Sequence, residues 1–335
     1  MERINGETYL SKRDMQQHRE AYSSLLVKDD LENCHLSNFL WNMPILHNYP
    51  GILGFEKIFK GSPAILVGSG PSLEKNMHLL KDVSKKAIII AGDAALPILV
   101  NKLKIYPHIV VIGDPTEKQV ANFKGIDTTK FMTVAPTVCH PAVFRTVEPH
   151  HLCVYNIRGD SPLSSMIPHH TGRKGGLAAG VLTTGSVFGF AAMTGASPIT
   201  FVGQDLSWPT PDKVYADGVE QGKHSYQKTV KFKSGCLLFP DINGKLVITH
   251  STFINFYIWL KDCLPRVKTN LYNSSEAGIL KMKNIKVMPL QQWIDKFCKY
   301  ELVGLAERIE SAYNYQYTDG MVEKLLLPPL KAAKK

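Results

Sequence analysis

The residues best suited to chemistry fall in a few short stretches. The first is AILVGSGPSLEK, in which Gly68, Ser69, Gly70, Pro71 and Ser72 link four apolar residues to a helical segment. Glycines permit close backbone approach or unusual dihedrals there. Pro71 suits the first turn of a helix, where its missing N–H is no loss. Free N–H groups at a helix start, with the positive end of the helix dipole, attract a phosphate or carboxylate. The other reading is a tight turn that binds nothing. Thr183-Thr184-Gly185-Ser186 opens an apolar run and offers a second such start, for an anion or as an ordinary N-cap. Three acids end apolar runs: Asp93 in AIIIAGD, Asp114 in HIVVIGD and Asp205, after Gln204, in ITFVGQD. Gathered on one rim, they suit Mg²⁺, ribose hydroxyls or a base edge. Taken singly, each also reads as the cap of a following helix, and Asp114-Pro115 looks like a helix start. His140, His224 and His250 are candidate proton acceptors near neutral pH, with a structural or solvated role as the alternative for each. His169-His170 has no third ligand nearby, so no metal site is read from it. HExxH, GxSxG, P-loop lysine and kinase signatures are absent.

The elements that must position these groups alternate. Apolar runs at residues 64–67, 87–93, 108–114, 131–135, 152–157 and 199–205 read as strands covered on both faces. Residues 268–272 read as a last strand, and 94–104, 184–194, 252–264 and 291–313 as helices. Strands spaced by helices predict an α/β fold: a Rossmann-like, doubly wound, mostly parallel sheet with right-handed crossovers. Ligands in such sheets sit beyond the carboxyl ends of the strands. The glycine loop, Asp93, Asp114 and Gln204-Asp205 should therefore share one rim. Residues 1–60 read as a helical cap or arm, with a modest amphipathic pattern at 16–27. Residues 61–290 read as the catalytic domain, and 291–335 as C-terminal helices with a loose tail after Leu327. Within the catalytic domain, residues 208–250 form a polar excursion with a hairpin at Asn243-Gly244.

At 335 residues and 44% hydrophobic content, this is an ordinary globular composition. The net charge of +10 fits an anionic substrate, a nucleic acid or a membrane surface. Its basic residues are scattered apart from short clusters at Lys85-Lys86, Lys228-Lys231-Lys233, Lys281-Lys283-Lys286 and Lys334-Lys335, and no arginine-rich run or zinc-finger spacing appears, which argues against nucleic acid. Six dispersed cysteines without CxxC read as free thiols in a reducing compartment. With a charged N-terminus and no signal peptide, the expected location is cytoplasmic. The uncharged stretch 175–204 is broken by Thr183, Thr184, Ser186, Gly195, Ser197 and Pro198, so no membrane span is expected.

Several motifs occur together in register: GSPAILVGSGPSLEKNMHLLKD, AIIIAGDAALPIL, IVVIGDP, TTGSVFGFAAMTGASPITFVGQDLSW and NSSEAGILKMKNIKVMPL. This order resembles the catalytic domain of the bacterial motility accessory factors, linked to flagellin glycosylation. That domain is shared with archaeal 6-hydroxymethylpterin diphosphokinases. The GPSL loop, the Thr-Gly helix start and the Gly-x-Asp strand end also resemble small bacterial sialyltransferases. The resemblance implies a Rossmann-like nucleotide-binding domain. Gly68, Ser69, Gly70, Pro71 and Ser72 would face the nucleotide phosphate. Asp93, Asp114, Thr184, Gly185, Ser186, Gln204 and Asp205 would line the cleft, and Glu276 would close it. His250, placed before a late helix as the sialyltransferase base is, would be the base, with Asp205 and Asp114 as further catalytic candidates.

Two activities follow from the resemblance. The first is a glycosyltransferase that moves a nonulosonic, sialic-acid-like sugar from a CMP-linked donor to a protein Ser/Thr, as on a flagellin-like protein, or to a glycan hydroxyl; it needs no cofactor. The second is a diphosphokinase that moves diphosphate from ATP to a hydroxymethyl pterin, with Mg²⁺ on Asp93, Asp114 or Asp205. A third reading, from another class, is an idle nucleotide-binding module. Asp205→Ala is expected to abolish turnover with little change in melting temperature.

Overall fold

The structure is a computed structural model that describes residues 31–159, 161–178, 182–210, 213–219 and 235–315, and the backbone of 2–4, 7–9 and 30. The expected helix at 16–27, His224, the 228–233 lysines and the tail after Leu327 lie outside these residues.

The chain alternates as its apolar runs require. Nine parallel strands are formed: β1 (Ala64–Val67), β2 (Ile88–Gly92), β3 (Ile109–Val111), β4 (Met132–Pro136), β5 (Leu152–Arg158), β6 (Gly176–Ala178), β7 (Ile199–Val202), β10 (Leu271–Asn273) and β11 (Ile285–Val287). Between β7 and β10 in sequence, β8 (Cys236–Pro240) and β9 (Leu246–His250) make a separate antiparallel hairpin. The strand order across the large sheet is β11-β10-β7-β1-β2-β3-β4-β5-β6. The fold is thus α/β and Rossmann-like. β6 and β11, the two edge strands, are additional to the strands expected from the apolar runs.

β1 is central and buried throughout. Ala64 and Leu66 enter one core, Ile65 and Val67 the other. Burying one such aliphatic side chain contributes ~1.5–3 kcal/mol, so a run with no polar face is stable only between two helical layers. Helix α4 (Thr183–Met193) is apolar all round and lies in the first core with α5 (Ser251–Cys263). Helix α6 (Leu290–Phe297) covers the second, through Leu290 and Trp293. The 291–313 segment forms two helices, α6 ending at Phe297 and α7 (Leu305–Tyr313) opening after Gly304, whose φ is 62°. No described helix is long and apolar enough to cross a membrane. All six cysteines are free thiols.

Residues ahead of β1 pack on the sheet as well. Helix α1 (Asp30–Asn42) places Phe39 in one core with Val110, Ile112, Val154 and the Leu163 and Ile167 of helix α3 (Pro162–Thr171), and Phe55 and Phe59 enter the core under α4. Asn38 Nδ2 donates to the carbonyls of Pro115 (2.8 Å) and Val138 (3.0 Å). Asn42 Nδ2 donates to those of Thr137 (3.1 Å) and Cys139 (2.8 Å). Two asparagines one helical turn apart thereby hold the loops that leave β3 and β4.

Candidate functional site

The chain leaves β1 toward β2 on one side, and returns as β7 on the other. The β1/β7 junction is the topological switch point, where open α/β sheets form their crevice. The glycine loop and Gln204-Asp205 meet there. Gly68 N donates to Val202 O and Gly70 N to Gly203 O, each at 2.8 Å. A Cβ at Gly68 would come within 2.6 Å of Gln204 Oε1, and one at Gly70 within 2.9 Å of Asp205. The glycines are required by this close approach.

Asp205 accepts from Ser72 N at 2.8 Å and from the Ser72 hydroxyl. The protein's own carboxylate therefore occupies the start of the short helix α2 (Leu73–Asn76). Burial pushes the Asp205 carboxyl up to about 6, opposed by the Ser72 hydrogen bonds and by Lys75. Alanine at 205 would leave two buried Ser72 donors unpaired, at ~1–3 kcal/mol each. The expectation that Asp205→Ala spares the melting temperature is corrected accordingly. Glu276, at φ 60°, sits in the same half of the rim. Its Oε1 accepts from Asn76 Nδ2 and Leu290 N, both at 3.1 Å. Ser275 Oγ accepts from Gln204 N at 3.0 Å.

The second half of the rim forms where α4 meets the ends of β2 and β3. A Cβ at Gly113 would lie 2.7 Å from Thr183 Cα, and one at Gly92 would lie 3.6 Å from Thr183 Cγ2 and 4.0 Å from Val67 O. The first turn of α4 thus rests on the carboxyl ends of β2 and β3. Its N-cap residue, Leu182, supplies no capping side chain, and Gly185 N donates to Leu182 O at 2.8 Å, so the N–H groups at the tip on which an anion would rest are those of Thr183 and Thr184. Asp93 is buried below and accepts from Asn122 Nδ2 at 2.7 Å. Burial pushes its carboxyl up to about 7, opposed by Asn122 and reinforced by the charge of Asp114. Asp114 is half-buried and accepts from Thr116 N at 2.7 Å. Two of the three acids accept a backbone N–H, Asp114 from Thr116 and Asp205 from Ser72, and Asp93 accepts the side-chain amide of Asn122. Asp93 and Asp114 are neighbours, whereas Asp205 sits in the other half. Among the described residues, no three His, Cys, Asp or Glu side chains are grouped to hold a metal ion.

Burial sorts the rim into two layers. Gly68, Ser69, Gly70, Asp114, Thr184 and Gln204 are partly exposed; Pro71, Ser72, Asp93, Gly185, Ser186 and Asp205 lie behind them. His250 caps α5, its Nδ1 accepting from Thr252 N at 3.2 Å. Its neighbour Thr249 reaches the rim, its hydroxyl donating to Leu206 O at 2.7 Å. His140 accepts from Ala142 N at 3.3 Å in the loop after β4. A cavity of about 830 Å³ lies at the opposite edge of the sheet, between α7 and the starts of the strands, and holds none of these residues.

The family model for 6-hydroxymethylpterin diphosphokinase MptE-like proteins matches residues 37–211, more than half of the chain. The chain belongs to that family. Among solved structures, this MptE-like chain is similar to the MAf glycosyltransferase from Magnetospirillum magneticum AMB-1, with a TM-score of 0.59 and 16% identity over 84% of this chain. It spans 42% of that protein's length. At this identity the likeness is one of fold. No curated protein matches the chain.

Sequence reasoning missed several residues of the MptE-like rim. Asn122 holds Asp93, Tyr155 meets Ser186, and Ser275 holds Gln204. Asn38 and Asn42 carry a readable signal, two asparagines at i and i+4 in an otherwise mixed helix. Tyr155 carries none, because it lies within the apolar run of β5.

Proposed function

We propose that this MptE-like chain is a nucleotide-dependent transferase, and that the rim at the switch point is its donor site. The observation that carries this reading is the open first turn of α4, resting on Gly92 and Gly113 beside the glycine loop. A donor phosphate at Thr183 and Thr184 would meet backbone N–H groups and the positive end of an 11-residue helix. Asp205 already fills the start of α2, so the phosphate is assigned to α4. Gly68, Ser69 and Gly70 would form the wall against the nucleoside, with Gln204 and Asp114 as reachable hydrogen-bonding groups.

The activity we assign is transfer of a nonulosonic sugar from a CMP-linked donor to a Ser/Thr or glycan hydroxyl. The bond between anomeric carbon and phosphate oxygen breaks, and its electron pair leaves with CMP. The fixed dipoles of the α4 tip stabilise that developing charge without reorganisation. The acceptor oxygen attacks the anomeric carbon and gives its proton to a base. His250 is the assigned base: its Nδ1 accepts from Thr252 N, so in the neutral ring Nδ1 carries the lone pair and would turn from Thr252 to take the acceptor's proton; Asp114 is the reachable acid on the same rim. The family match favours a second reading, diphosphate transfer from ATP. Mg²⁺ would there be held by Asp114 and the substrate phosphates, a ligand set ordinary for that ion, with Asp93 alongside.

Calorimetric titration with CMP and with ATP, each with and without Mg²⁺, separates the readings. CMP binding independent of metal supports glycosyl transfer. Binding of ATP only with Mg²⁺ supports the diphosphokinase. Binding of neither refutes both and leaves the idle module.

A further inference from the structure

We propose that Tyr155 is a positioning residue, pinning the tip of α4 to the end of β3 and so setting the gap between the helix tip and Asp114. Tyr155 lies on β5 with its side chain on the face covered by α4. Its hydroxyl donates to the carbonyl of Ile112 at 2.8 Å and lies 2.9 Å from Ser186 Oγ. Tyr155 and Ser186 are both at 0% exposure, so neither hydroxyl can exchange its partner for water.

The geometry explains the length of the side chain. β5 is two places from β3 in the sheet, with β4 between them. Tyr155 pairs with Pro136 of β4, and its ring crosses that strand to reach Ile112. Ile112 immediately precedes Gly113, on which Thr183 rests, and stands two residues before Asp114. One phenol oxygen therefore ties together a strand end and the first turn of the helix above it. Asp93 is close enough for its charge to act on the same phenol. Removing the oxygen alone would leave the Ile112 carbonyl short of a donor and free Ser186 to turn back on its own helix. The helix tip would then be held by apolar contacts, which do not fix a position along the rim.

This inference rests on the proposed donor site, and its test separates the two. Tyr155→Phe keeps the ring and its packing. Ile254→Val, in α5 and the same core, serves as a control of comparable destabilisation. Two quantities are read on each: the Kd for CMP by calorimetry, and amide hydrogen exchange across residues 183–187. Tyr155→Phe is expected to weaken CMP about tenfold and to raise exchange in those residues selectively, with Ile254→Val changing neither. Ser186→Ala breaks the same link from the helix side and gives the same local pattern, so the test survives poor folding of the first variant. Exchange in 183–187 that matches the control, or that rises evenly along the chain, overturns the inference. If the wild type binds no nucleotide, the donor-site reading fails, and the exchange arm still decides whether Tyr155 holds the helix.

Discussion

Asp205→Asn isolates the electrostatic cost built into the switch point. The carboxylate is buried against Ser72, and its pKa rises from the ordinary ~3.9 of an unfolded Asp to about 6. A raised acid binds its proton more tightly when folded. Its contribution to stability is therefore complete below ~pH 4 and is lost as pH rises through about 6. Two pKa units correspond to ~3 kcal/mol, of which ~2 kcal/mol should disappear between roughly pH 4.5 and pH 7.5. Asparagine removes the titration and keeps the geometry: Oδ1 accepts from Ser72 N, and Nδ2 donates to a rotated Ser72 hydroxyl. Urea unfolding of both proteins at a series of pH values measures the difference. The variant should gain ~2 kcal/mol relative to the wild type from the acid to the neutral end. Parallel stability curves would refute the argument, because they would mean that Asp205 has no elevated pKa and that Ser72 meets an ordinary carboxylate.

The remaining predictions concern the reach of the site. Gly113→Ala puts a methyl 2.7 Å from Thr183 Cα; the α4 tip must lift, and CMP affinity should fall at least ~10-fold with a loss of ~1–3 kcal/mol in stability, read by calorimetry and thermal melting. His250→Asn retains an N-cap for α5, so the melting temperature should hold within the spread of good caps; kcat should fall ~10²-fold or more if the imidazole is the base, and an unchanged kcat removes it from the chemistry. Asn122→Leu strips the donor from Asp93. The Asp93 carboxyl should then titrate above about 7, shifting any pH transition in nucleotide binding upward; an unshifted transition separates Asp93 from the site.

What could be read from the chain alone follows period and composition. The apolar runs located six strands because burial on both faces leaves a local mark. β6 and β11 escaped because an edge strand of three residues carries no such mark. The Asn243-Gly244 turn was legible, and its hairpin is set by Asp241, whose carboxylate accepts from Asn243 N and Lys245 N. The helix expected at 94–104 is formed as one helical stretch over 93–102, tight at Asp93–Ala95 and wide at Ile98–Lys102, a change of pitch that composition does not announce. The rim residues were found by their place at strand ends. Their division into a reachable and a buried layer was not, because Asp205 finds Ser72 across 133 residues of sequence, and no local pattern encodes that meeting.

The central claim is that a nucleotide phosphate rests on the first turn of α4. A crystal structure of the chain with CMP tests it most directly. The account predicts the phosphate within hydrogen-bonding distance of the Thr183 and Thr184 amides, ~2.7–3.2 Å, with the nucleoside against Gly68–Gly70. A phosphate at the start of α2 displacing Asp205, or in the cavity at the opposite edge of the sheet, would contradict it.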